Sequence, residues 1–256
     1  MNSDDNNIQS VITIAADTHV GLVRKANEDS FGYHVDPERN FAMFAVADGI
    51  GGHGNGDVAS AICIRLMLEQ WRKLNLDEPF GREQATRFFS NTLTAANDKI
   101  FQINNRFSFR YPMGTTVVAG IATLEDVIVV HLGDSRFYRM NGELLEKVTE
   151  DHSFVAEMVR NKLISQDEAR NHPFSHIISR SIGPNRDIEP EFSYFKRVRG
   201  DRMLLCSDGL SNYALDDEIS ARMIDEGTPR NIVNNLLKLS LKRGGEDNIT
   251  IITVQV

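Results

Sequence analysis

Cysteine, proline and long hydrophobic runs are all scarce in this chain. The two cysteines, Cys63 and Cys206, both lie inside apolar runs. Such a pair reads as reduced core thiols of a cytoplasmic protein and excludes a disulfide scaffold. Only 7 of 256 residues are proline, while 41% are hydrophobic and 25% charged, which excludes collagen-like and wholly disordered chains. No apolar stretch approaches the ~20 residues of a membrane span; the longest, such as Phe41–Ala47, are strand-sized. The opening MNSDDNNIQS has neither the basic n-region nor the apolar h-region of a secretory signal, and residues 1–7 read as a flexible tail. Basic residues are the minority sign, 28 Lys and Arg against 36 Asp and Glu, and they occur singly. A net charge of −8 repels a phosphate backbone, so nucleic acid is not an expected partner.

The length suits one large domain or two small ones, with ample core. From Gln9 onward there is no linker, low-complexity stretch or internal repeat. Val11–Ala16, Ser30–Val35 and Phe41–Ala47 are short strand-like runs divided by turn residues. Asp57–Leu74 has no Pro or Gly and reads as a largely buried helix; Ala85, Phe88, Phe89, Leu93, Ala96, Ile100 and Ile103 keep helical spacing in a second. Strands return at Thr115–Thr123, Val127–Leu132, Arg136–Met140 and Leu144–Val148, with Asn141-Gly142 as a hairpin signal. Phe154–Lys162 and Ser165–Arg170 read as short helices and Met203–Cys206 as a strand. Asp216–Ile224 and Pro229–Leu241 are further helices before a closing strand at Ile249–Val256. Strands are grouped rather than alternating singly with helices, so the class is α+β with mainly antiparallel sheets.

One chemical pattern recurs. Apolar runs end in, or start just after, an aspartate beside glycine: FAVADG with Asp48, VVHLGDS with Asp134, LLCSDG with Asp208 and GGEDNITIITV with Asp247. Glu28 and Asp29 add acid before another strand. A lone Asp-Gly is usually a turn; four in one context are harder to dismiss. Were they to converge, two carboxylates at 4 Å would repel by about 4 kcal/mol at an effective dielectric near 20. A hard divalent cation such as Mg²⁺ or Mn²⁺ relieves that repulsion and prefers oxygen ligands. Arg24, just before Glu28, has the planar fork that grips a phosphate.

Other chemistries lack their parts. Gly49–Gly54 fits G-x-G-x-x-G, but the acid at dinucleotide spacing, Glu69, falls within a helix, and no Gly-Lys-Ser/Thr is present. A cysteine phosphatase needs arginine six residues after its cysteine; positions 69 and 212 are Glu69 and Asn212. There is no G-x-S-x-G elbow. Among the histidines, His131 reads as core and His19 and His34 as surface. His53, His152, His172 and His176 sit in loop-like contexts where an imidazole could act as general acid.

With these residues in view, the chain resembles the metal-dependent serine/threonine protein phosphatases of type 2C (the PPM family), in their compact bacterial form. The resemblance runs from about Ile12 to Val256 through GLVRKANEDS, AVADGIGGHGNGDVAS, MGTT, VHLGDSRFY, TEDHS, ISRSIG, LCSDGL and GGEDNIT, in family order. It implies a four-layer α-β-β-α sandwich, two central antiparallel sheets flanked by helix pairs, with residues 8–256 as one catalytic domain and a flap at about 154–178. It further implies Asp48 bridging two Mn²⁺ or Mg²⁺ ions, with the Gly49 carbonyl on one and Asp208 and Asp247 completing the other. Asp29, with Glu28 as an additional candidate, would act through waters; Asp134 with Asp208 would hold a weaker third ion. Arg24 would orient the phosphate, and MGTT and DHS would support the structure.

The family's animal members place a histidine directly after the second-motif Asp-Gly, where this chain has Ile50. His53, three residues on, does not inherit that role and stays an additional candidate; Asp57 replaces the usual glutamate after the glycine loop. The implied activity is hydrolysis of phosphoserine and phosphothreonine by a metal-activated water, by a cytoplasmic monomer opposing a serine/threonine kinase and touching no membrane. The alternative is a catalytically silent phosphoprotein-binding module of the same fold.

Overall fold

Runs of Val, Ile, Ala and Phe bounded by turn residues form the strands, as their β-branched and aromatic content favours. A computed structural model describes residues 11–51, 55–76, 80–170, 172–225 and 227–256; the expected tail, 1–7, and His53 lie outside these. In chain order come β1 (Thr13–His19), β2 (Asp29–Asp36), β3 (Phe41–Ile50), α1 (Gly56–Trp71), α2 (Arg82–Phe107), β4 (Gly114–Thr115) and β5 (Val117–Ala122). Then follow β6 (Asp126–Leu132), β7 (Arg136–Asn141), β8 (Leu144–Lys147), α3 (Phe154–Arg160), α4 (Gln166–Arg170) and β9 (Glu191–Lys196). The chain closes with β10 (Arg202–Cys206), α5 (Asp208–Ser211), α6 (Asp216–Asp225), α7 (Pro229–Lys242) and β11 (Ile249–Gln255).

The strands form two sheets, β1-β11-β10-β7-β8 and β2-β3-β5-β6-β9, with β4 added on β3. Every pairing is antiparallel. Between the sheets lie Phe44, Val46, Val129, Phe137, Leu205 and Ile252, none exposed. A second apolar layer packs α1 and α2 on the β3 sheet through Met67, Trp71, Phe89 and Leu93. A third packs α6 and α7 on the β1 sheet through Ile219, Ile232, Val233 and Leu236. The order is therefore helix, sheet, sheet, helix, as the family resemblance implied. At about 25 cal/mol per Å² of apolar surface, these three interfaces supply the dominant favourable term.

Three local outcomes refine the sequence reading. The expected strand over Thr115–Thr123 breaks at Thr116, whose N–H leaves the ladder to bond Asp48 O at 2.8 Å. In the β7–β8 hairpin Asn141 pairs with Leu144, so the two turn residues are Gly142 and Glu143, with φ +60° at Gly142. Strand β9 and the one-turn helix α5 had no expectation; β9 is only half-buried along most of its length, as befits an edge strand. Cys63 and Cys206 are free and buried, their thiols pushed up to about 12 by burial. Among the described residues no helix is long and apolar enough to cross a membrane.

Candidate active site

The acid-rich strand ends meet at one end of the sandwich. Asp29 opens β2 directly opposite Asp48 on β3, which puts both carboxyls on one face of that sheet. From the other sheet, Asp208 opens α5 just after β10, and Asp247 precedes β11 by two residues. The sheets are joined here: Ser207 Oγ donates to Asp29 Oδ2 at 2.8 Å and accepts from Thr250 N at 2.9 Å. The Asp48 and Asp208 carboxyls lie close enough to act on each other. Asp134, in the turn after β6, is buried and feels the charge of Asp208.

Burial first, then repulsion from acidic neighbours, raises Asp29, Asp48, Asp134 and Asp208. Asp29 is pushed up to about 7, relieved in part by bonds from Thr250 and Ser207 and raised again by Asp208 and Asp247. Asp208 is pushed up to about 6 by burial and Asp247. Asp48 and Asp134 stand well above the usual carboxylate range, from burial and then their acidic neighbours. Glu28 is raised by burial and by Asp57. Among the described residues, Asp29, Asp48, Asp134 and Asp208 have no ion-pair partner, and the Oδ1 atoms of Asp29 and Asp134 are buried without a hydrogen-bond partner. Oxygen-only donors, orphaned buried lone pairs and uncompensated repulsion fit a hard divalent cation.

Neighbouring residues hold this geometry. Asp48 N donates to Thr116 Oγ1 at 3.0 Å, while Thr115 Oγ1 donates to Asp48 O at 2.8 Å, so MGTT grips the backbone of Asp48. A Cβ on Gly49 would lie 2.3 Å from Gly56 O and 2.5 Å from Glu28 O; only glycine lets the three segments close up. Asn248 accepts from Glu28 N at 2.8 Å and donates to Val20 O and Ala26 O at 2.9 Å each, fixing the loop that carries Arg24. The Arg24 guanidinium, 54% exposed, donates to Asp247 Oδ2 at 2.6 Å. Sequence reasoning gave Asn248, Ser207 and Thr116 no role of their own; each stands inside a quoted motif, which was their only signal.

The histidines divide. His131 is buried as expected; His34 is exposed and His19 half-buried, its Nδ1 accepting from Gly21 N. His152, expected in a loop-like context, is 2% exposed and held down to about 4 by burial and His131, so it is a neutral ring at physiological pH. His172 and His176 lie in the segment between β8 and β9, where His172 Nδ1 accepts from Phe174 N.

Two stacked antiparallel sheets with acids gathered at one end suit metal-dependent chemistry. Comparison makes it specific: residues 23–239 match the family model for protein phosphatase 2C. The chain belongs to that family and is a serine/threonine protein phosphatase that depends on divalent metal. It is 33% identical over 238 residues to serine/threonine phosphatase stp of Listeria monocytogenes serotype 4b, covering 93% of each chain. Protein phosphatase PhpP of Streptococcus pneumoniae is 31% identical over 239 residues, covering 93% of this chain and 95% of the relative. Phosphatase Stp1 from Staphylococcus aureus superposes with a TM-score of 0.89 at 30% identity, covering 96% of both chains. The catalytic domain of PstP, in complex with 2 manganese ions, superposes with a TM-score of 0.79 at 32% identity over 96% of this chain and 98% of that one.

Proposed function

We propose that this chain hydrolyses phosphoserine and phosphothreonine in proteins directly with water, using two Mn²⁺ or Mg²⁺ ions and a weaker third. The observation that carries this reading is the set of buried and half-buried aspartates that have no ion-pair partner among the described residues. Asp48, the Gly49 carbonyl, Asp208 and Asp247 would hold the two core ions, Asp29 and Glu28 would act through waters, and Asp134 with Asp208 would hold the third. Bound there, such cations supply Lewis acidity, offsetting phosphoryl charge and making water a competent nucleophile near neutral pH.

The chain's own residues do the rest. Thr115 and Thr116 fix Asp48, and Ser207 fixes Asp29, so the carboxyls need little reorganisation. Arg24, at the rim and half-exposed, exchanges Asp247 for the incoming phosphoryl oxygens and holds them bidentately. The substrate is a phosphoprotein, with a cognate bacterial serine/threonine kinase as the opposing activity. Residues 8–256 act as one catalytic domain whose flap, about 154–178, borders the cleft; the protein works in the cytoplasm as a monomer.

The test is p-nitrophenyl phosphate hydrolysis by the purified chain with Mn²⁺, Mg²⁺, Ca²⁺ or EDTA. Turnover that requires Mn²⁺ or Mg²⁺ supports the reading. A folded, metal-loaded chain without turnover but with phosphopeptide affinity would favour the binding-module alternative.

A further inference from the structure

His131, His152 and Glu191 bring two imidazoles and a carboxylate within 4.8 Å of one another, spacing that suits a transition metal. The hydrogen bonds decide against it. Glu150 O can only accept, so His131 Nε2, 2.8 Å away, carries that ring's proton. Gly133 N–H can only donate, so His152 Nδ1, 3.1 Å away, holds a lone pair and Nε2 of the neutral ring holds the proton. That nitrogen lies 3.1 Å from Glu191 Oε1 without hydrogen-bond alignment, and Arg180 Nη1 already donates to the same oxygen at 2.8 Å. His152 in this tautomer has no lone pair to give a metal between the three side chains.

What the pair holds is backbone. His152 meets Gly133 twice, taking its N–H on Nδ1 and donating its own N–H to Gly133 O at 2.9 Å. Its carbonyl accepts from Ser179 N at 2.8 Å, and the next residue, Ser153, bridges Ile178. The His131 ring stacks on it at 4.5 Å and 18°, which fixes its tilt. Gly133 has φ +113°, and a Cβ there would lie 2.5 Å from Thr116, so only glycine makes this turn, which leads directly into Asp134. We propose that His152 is a positioning residue for Asp134, clamping the Gly133–Asp134 turn to the two ends of the 154–178 segment so that both keep one geometry. The proposal rests on the reading of Asp134 as a cation ligand.

The experiment measures Mn²⁺ binding directly, from the electron paramagnetic resonance of free Mn²⁺, alongside the Mn²⁺ dependence of p-nitrophenyl phosphate turnover. It compares wild type, Asp134→Asn, His152→Leu, His152→Asn and the His152→Leu/Asp134→Asn double variant, with circular dichroism to check folding. Leucine fills the space without an acceptor, whereas the Asn Oδ1 stands near the place of Nδ1 and can take the Gly133 N–H. His152→Leu is expected to lose about tenfold in affinity at the weakest Mn²⁺ site, and His152→Asn to recover most of that loss. The double variant should bind no worse than Asp134→Asn, because both changes act through one carboxylate. Wild-type Mn²⁺ binding in His152→Leu, no recovery with asparagine, or additive losses would each overturn the proposal. If Asp134→Asn binds Mn²⁺ as wild type does, the ligand reading of Asp134 fails and the clamp's role in metal binding with it. Should the leucine variant not fold, His152→Gln takes its place in the same comparison.

Discussion

Buried carboxylates of this protein come in two kinds that differ only in company. Asp151 is 14% exposed and receives a bidentate grip from Arg136, Nε at 3.0 Å and Nη2 at 2.7 Å, with Lys147 at 3.4 Å. Burial alone would raise its pKa, yet Arg136 and then Lys147 hold it below the ordinary carboxylate value. Asp201, its side chain 1% exposed, is likewise satisfied by Arg139 at 2.7 Å and Asn141 at 2.7 Å. Asp29 and Asp134, buried, and Asp48 and Asp208, half-buried, stand among other acids and shift the opposite way. The first kind is balanced within the chain and is structural. The second has no ion-pair partner among the described residues, and in the proposed function a cation from solution balances it; shifts of this kind gather at working sites.

The sharpest break of this contrast is Asp208→Asn, which should lower turnover by about a hundredfold or more while leaving urea stability unchanged or raised, since a repelling charge is removed. A destabilised Asp208→Asn with near-normal rates would place Asp208 in the structural kind. Next in size, Asp151→Asn should cost about 3 kcal/mol of stability, because it leaves Arg136 buried and unpaired; urea midpoints within error of wild type would contradict that. Arg24→Ala should then raise KM for phosphate esters more than it lowers kcat, by about tenfold. An unchanged KM would count against a phosphate contact.

The smallest expected effect concerns pH. Asp29, at about 7, and Asp208, at about 6, are raised above their unfolded value, so the native metal-free chain binds more protons than the unfolded one. Its stability therefore falls as pH rises from about 4 to about 7. Asp151, lowered, works the other way, its contribution being present at neutral pH and lost only in acid. Mn²⁺ restores what deprotonation of the cluster removes, so its stabilising effect should grow from about pH 5.5 to about pH 8. Thermal melts with Mn²⁺ and with EDTA at both values check this, and a larger Mn²⁺ effect at the acid end would contradict it.

Much of this was legible in the sequence because strand ends are local. The apolar runs before Asp48 and Asp208 place both aspartates close to a strand end: β10 stops at Cys206, two residues before Asp208, and β3 runs two residues past Asp48 to Ile50, where it pairs with β4. Helix α7 was equally plain, with Thr228 accepting from Asn231 N and Pro229 in its first turn. What the sequence could not carry is pairing across the sandwich. Asp29 meets Ser207 over 178 residues, and Glu28 meets Asn248 over 220. Strand β9 was missed because EFSYFK, half-buried at an edge, shows no clean alternation between core and solvent. His152 does stand in a loop, as TEDHS suggested; what the sequence could not show is that its ring folds inward onto the Gly133 backbone.

The central claim is that the strand-end aspartates await a divalent cation. Urea unfolding of the metal-free chain near neutral pH, with and without saturating Mn²⁺, tests it most directly. Mn²⁺ at about a hundred times its dissociation constant should stabilise wild type by about 2.7 kcal/mol, and Asp48→Asn should lose most of that gain. No gain in wild type, or the same gain in the variant, would contradict the account.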